Sequence, residues 1–148
     1  MDKTLVLFFR DDLASLREPE QAAKQASIAT IRFMQLLNSV NLSDIGVQSE
    51  AQRWAETVAL AAEEGTPAEI TIKGVDQISA LELLVDRLSS QNIPCALIKD
   101  PTYRLKDGST THSVPATTGC WAFLNVEELP KLWLPKLWGI HPFPGGDA

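Results

Sequence analysis

The order of apolar and polar positions lays out a chain of alternating strands and helices. "TLVLFF", residues 4 to 9, is an unbroken β-prone apolar run, the pattern of a strand covered on both faces. From about residue 18 to residue 40 the apolar positions recur at helical spacing (Ala22, Ala26, Ala29, Phe33, Leu36, Leu37, Val40), which predicts one long helix with a single core-facing stripe. After "NLSDIG", Ser49 and Gln52 are spaced as a capping box. Ala51, Trp54, Ala55 and Val58 then mark a second helix, closed by Gly65 and Pro67.

"AEITIKG" alternates as a half-covered strand, and Asp76 stands where a third helix needs its N-cap. Ile78, Leu81, Leu84, Val85 and Leu88 give that helix its apolar face. "PCALIK", residues 94 to 99, predicts a third strand and "GCWAFL" a fourth. The Thr-, Ser-, Gly- and Pro-rich segment 101 to 118 between them predicts an irregular loop or a hairpin connection. Asn125 with Glu127 and Glu128 predicts a short last helix. Strands separated by helices run parallel through right-handed crossovers, and a last strand joined without a helix is free to run antiparallel. The expected fold is α/β: a three-layer α/β/α sandwich with a mixed four-stranded sheet.

Composition bounds this picture without changing it. A chain of 148 residues, 45% of them hydrophobic, suits one domain, here a core of about residues 4 to 124 and a Trp- and Pro-rich extension over 125 to 148. That extension holds the tandem pentapeptide "LPKLWLPKLW", residues 129 to 138. Its two prolines oppose a long amphipathic helix, so it is read as packing Trp133 and Trp138 on the sheet or across a homodimer contact rather than on a membrane. No apolar run is long enough to span a bilayer, and Cys95 and Cys120 lie in apolar runs without metal-type spacing, which together predict a cytoplasmic protein with reduced thiols. His112 and His141 have no companion ligands nearby in sequence, so no metal is expected. The net charge of -6 opposes nucleic acid over the whole surface, so any contact with RNA needs a local basic patch.

Several short stretches carry a family resemblance. "LVLFFRDDL" matches a first strand ending in a pattern like R-T-D-L through Arg10, Asp12 and Leu13; "QAAKQASIAT" falls on a pattern like K-x-A-A-Q-C-S-H-A-T through Gln25, Ser27, Ala29 and Thr30. Trp54, "AEITIK", "ALELLVDRLSSQ" and "NIPCALIKD" follow in matching order, the last placing Asp100 on an aspartate that precedes A-G-R-T. Over roughly residues 4 to 124 the chain resembles the type-2 peptidyl-tRNA hydrolases, as a divergent member. The resemblance implies an enzyme that cleaves the ester between a peptide and tRNA, with peptidyl-tRNA as partner and no metal or organic cofactor. It departs in that the family's lysine falls on Gln21, its histidine on Ile28, and "DAGRT" has become "DPTYR".

Ester hydrolysis needs an oriented or deprotonated water and donors aimed at the developing oxyanion. The expected catalytic residues are Asp100, as a base whose pKa burial raises toward neutrality, with Gln25 and Lys24 orienting water and charge. Arg10, Asp12, Gln21, Ser27, Thr30, Thr102 and Arg104 are the expected substrate contacts. The plainer alternatives are that Arg10 and Asp12 pair with each other, and that Gln25, Ser27 and Lys24 are ordinary solvated helix residues. A second function stands beside the first: a catalytically silent relative serving as a binding or regulatory module.

Overall fold

The computed structural model describes residues 3–37, 45–65, 71–125, 127 and 140–142. Strand β1 (Thr4–Arg10) leads through a 3-10 turn at Ala14–Arg17 into α1 (Pro19–Leu37). Then follow α2 (Ile45–Glu64), β2 (Thr71–Val75), α3 (Ile78–Ser90), β3 (Cys95–Asp107), β4 (Thr110–Leu124) and β5 (Ile140–Pro142). The four expected strands form a mixed sheet, and β5 adds a short edge that the sequence did not announce; the order is β3-β4-β1-β2-β5. β1 and β2 are parallel, and β4, reached by a hairpin, runs antiparallel to both β1 and β3.

The unbroken apolar run of β1 follows from its central place. Leu5, Leu7 and Phe9 enter the cluster under α1 and α2, while Val6 and Phe8 enter the cluster under α3, and all five are buried. Under α1, Phe33 stacks on Phe123 at 5.4 Å and meets Trp54 and Trp121 edge-on at 5.9 and 5.4 Å. Such ring pairs contribute about 0.5–1.5 kcal/mol each beyond the area they bury. On the opposite face Leu81, Leu84 and Leu88 of α3 are buried, with Val85 partly so.

Several local expectations are corrected. α2 begins at Ile45, so Ser49 falls inside the helix and not at its N-cap position, whereas Gly65 takes φ +71°, the left-handed conformation that ends helices. α3 starts one residue later than expected, with Gln77 and not Asp76 at its N-cap. Ile78, assigned to the apolar stripe of α3, is among the exposed hydrophobic residues, in the first turn of the helix. At the far end Asn92 takes φ 58° and Ile93 N–H donates to Leu88 O at 3.0 Å, closing the helix in the manner of a glycine cap.

Of the two alternatives for segment 101 to 118 the hairpin is the one formed, with longer strands than expected: β3 and β4 pair as far as Asp107 and Thr110 around Gly108, at φ +63°. The expected last helix and the LPKLW repeat lie outside the described residues, apart from Glu127, whose N–H donates to Asn125 Oδ1 at 3.0 Å. Among the described residues no helix is long and apolar enough to cross a membrane.

Candidate active site

Two irregularities in the β3–β4 pairing build the site. Ile98 pairs with Gly119, but Lys99 pairs with Thr117, so Thr118 is one extra residue on β4. Asp100 pairs with Ala116 and the next pair is Tyr103 with Val114, so β3 carries the next extra residue. The two bulges cancel, and Pro101 and Pro115, which cannot donate to a ladder, fall within the second. Asp100 keeps the face of Ile98, two residues before it, and the β4 bulge turns Thr118 toward the same side, where Gln25 meets both and both are buried.

α1 meets this patch with a polar start to its buried line. Gln21, Gln25, Ala29 and Phe33 succeed one another at four-residue spacing, and all are buried. Gln25, 0% exposed, donates through Nε2 to Asp100 Oδ2 at 2.8 Å and accepts through Oε1 from Thr118 Oγ1 at 2.7 Å. Lys24 Nζ lies 3.0 Å from the same Oδ2 and also donates to Thr102 O at 3.1 Å. Thr102 donates to Asp100 Oδ1 from its backbone N–H at 2.9 Å and its hydroxyl at 3.3 Å. The carboxylate, 1% exposed, thus receives four donors, about as many as its lone pairs hold.

This saturation corrects the expected chemistry of Asp100. Burial does push its carboxyl up, but the hydrogen bonds from Gln25, Thr102 and Lys24, with the charge of Lys24, outweigh it and hold the group below its ordinary value. Asp100 is therefore a standing anion that positions cations and amides, and a weak proton acceptor. A pH effect follows. The folded pKa lies below the unfolded value of ~3.9, so the contribution of Asp100 to stability is complete above that value and drains away as pH falls through the folded pKa. Urea unfolding of wild type and Asp100→Asn should show a stability gap at about pH 6 that closes by about pH 2. A gap of equal size at both pH values would contradict this assignment.

Beside Lys24 opens a cavity of about 550 Å³ lined by Ser15, Glu18, Glu20, Gln21, Arg104 and Thr111. Gln21 is 8% exposed and its Oε1 is buried without a partner. Ser15 Oγ is hydrogen-bonded to the Tyr103 hydroxyl and donates to Arg104 O at 3.3 Å, which ties the 3-10 turn to the hairpin arm. Burial pushes the Tyr103 phenol above its ordinary value, so it stays protonated.

Of the expected site residues the fold gathers Asp100, Gln25, Lys24 and Thr102 in direct contact, with Gln21 and Arg104 lining the adjoining cavity. Ser27 and Thr30 do not join: both are exposed and return their hydroxyls to Ala23 O and Ala26 O of their own helix. Arg10 and Asp12 follow their plainer alternative. Arg10 grips both oxygens of Asp12 at 2.9 and 2.8 Å and donates to Thr117 O at 3.0 Å, bracing the end of β1 against the bulge. His112 is exposed opposite Leu105, farther out on the arm. Thr118, Ser15 and Tyr103 escaped the sequence reading, and only the pairing register reveals Thr118 as a bulge residue. Toward the local basic patch that RNA would need, Lys24 and Arg104 share the cavity next to Asp100, whereas Lys99 lines a separate one. No family model matches this chain, and a comparison with curated proteins finds no match either.

Proposed function

We propose that the protein is a peptidyl-tRNA hydrolase-like ester hydrolase in which Lys24 supplies the positive charge for the developing oxyanion. The observation that supports this reading is that Lys24, on the wall of a cavity, is held from behind by the buried Asp100, itself bonded to Gln25, on residues drawn from two elements 75 positions apart. Lys24 is 39% exposed, so its ammonium is anchored on one side by Asp100 and Thr102 O and faces solvent on the other. An anchored cation beside a substrate-sized hollow stabilises negative charge without reorganising. The resemblance puts the family's lysine one helical turn earlier, at Gln21. Two positions three apart lie on nearly the same side of a helix, so a charge at 24 can serve the space that a charge at 21 would. Gln25 and Asp100 are then positioning residues, holding the cation and each other.

The test is release of peptide from a peptidyl-tRNA by the wild-type chain and by Lys24→Gln. The expected outcome is turnover by wild type and a fall in kcat/KM of about 10²- to 10³-fold in the variant, the size of effect seen for loss of one oxyanion donor. Equal turnover in both would remove Lys24 from the chemistry. The second reading, a catalytically silent binding or regulatory module, draws on the saturation of Asp100, which leaves no free carboxylate to take a proton from water. An inert wild type, with tRNA binding intact or absent, decides for that reading.

A further inference from the structure

A second cavity, of about 520 Å³, lies between the C-terminal half of α1 and the edge strand β3, and it shares no lining residue with the cavity beside Lys24. Its walls include Leu36, Ala96, Leu97 and Trp121, and its cations are Arg32 and Lys99; among its described lining residues none is acidic. In a chain of net charge -6, two cations sharing a hollow without a carboxylate stand out from the surrounding surface. Both are exposed, and Arg32 is steadied by Gln35, whose Oε1 accepts from Arg32 Nη1 at 3.2 Å.

The second observation is independent of charge. Trp121 is 2% exposed, and its indole Nε1 is buried without a hydrogen-bond partner. An indole nitrogen can only donate, and a buried donor left unmade costs as much as a good hydrogen bond contributes. Trp121 is fixed in place by Phe33, 5.4 Å from ring to ring, so the indole does not turn to seek an acceptor elsewhere. The indole nitrogen lies beneath the cavity wall, so what the lining itself offers is recognition of negative charge by Arg32 and Lys99 and of an apolar body by Leu36, Ala96 and Leu97.

We infer that this cavity is a binding site for an amphipathic monocarboxylate, with the carboxylate at Arg32 and Lys99 and the hydrocarbon against α1, the edge strand and the Trp121 ring. The volume falls within the range of about 300–1,000 Å³ that small-molecule sites occupy. The site is separate from the proposed hydrolase chemistry and needs none of it.

Decanoate is the probe, added to the full ¹⁵N-labelled chain while the indole N–H signals are followed by NMR, with the Trp121 signal identified by its loss in Trp121→Phe. The expected result is a saturable shift of the Trp121 indole signal, with decanol, equal in length but uncharged, binding about tenfold more weakly or worse. Arg32→Glu with Lys99→Glu, both at the surface and so compatible with folding, should weaken decanoate by about tenfold or more and leave decanol unchanged. Lys24→Gln should alter neither. Decanol binding as well as decanoate, a charge-reversed variant that binds decanoate like wild type, or a Trp121 signal that never saturates would each overturn the site. If Trp121→Phe does not fold, the charge-reversal comparison decides by calorimetry alone.

Discussion

Gly119→Ala is expected to destabilise the protein by at least about 3 kcal/mol, more than the same methyl group added at Gly65 or Gly108. Gly119 lies in β4 with Phe9 of β1 on one side and Ile98 of β3 on the other, so it is hemmed in by two ladders. A Cβ built there overlaps the backbone carbonyl oxygen of Phe8 and comes within 3.1 Å of Phe9 Cδ1. Backbone in a central strand cannot withdraw as a flexible side chain does, so the strands must separate locally or the Thr118 bulge must move. In a domain of this size each kcal/mol lowers the thermal midpoint by about 2–4 °C, so a drop of roughly 10 °C or a loss of soluble protein is the expected reading by circular dichroism. Gly108→Ala is the internal comparison. Gly108 meets nothing within 4 Å and costs only the strain of its φ of +63°, about 1 kcal/mol. Variants of equal stability would mean that β4 does not approach β1 as closely as described.

The parts of the fold legible in the sequence are those where burial alone chooses the residues. β1 is apolar from Leu5 to Phe9 because both of its faces are covered there, and the stripes of α1 and α3 follow from one covered face each. The hairpin between β3 and β4 is one of two readings of its sequence, and the length of its arm is not legible, for the opposite reason. Residues 110 to 113 are exposed, and a strand held by backbone pairing above solvent does not need apolar side chains, so Thr, Ser and Gly read there as loop.

The site divides in the same way. Asp100 and Gln25 follow from the resemblance and the strand end, but the same pattern carries Ser27 and Thr30 along with Gln25 without regard to helix face. On a helix they stand about 200° and 140° from it, on the far side of α1, whereas Gln21 stands about 40° away and is buried in the same line. Lys24, about 100° away, arrives because a long flexible stem carries its ammonium back over the helix edge. Thr118 had no signal at all, since a bulge is a relation between two strands and not a property of one.

Replacing Asp100 should separate the roles of charge and hydrogen bonding, because asparagine and alanine leave different groups stranded. Asp100→Ala removes the acceptor for Gln25 Nε2, which is wholly buried, and for the Thr102 N–H, while Lys24 keeps access to solvent; the expected loss of stability is about 2–4 kcal/mol. Asp100→Asn allows a rearrangement. If the Gln25 amide turns over, its Oε1 accepts from the new Asn amide and its Nε2 donates to Thr118 Oγ1, whose hydroxyl still has Ile98 O at 3.4 Å to donate to. The buried relay is then satisfied in the reverse sense, Thr102 N–H keeps an oxygen, and only the charge on which Lys24 rests is gone. Asparagine should accordingly recover most of the stability, costing about 1 kcal/mol, while alanine does not. Under the proposed function the two variants should be alike in activity, each at least about 10²-fold below wild type in kcat/KM, because an unanchored ammonium loses its fixed aim at the oxyanion. The informative pattern is therefore a split in stability without a split in rate. An Asn variant that is stable and fully active would show that the charge of Asp100 does not aim Lys24, and an Asn variant as unstable as Ala would show that the Gln25–Thr118 relay is not free to reverse.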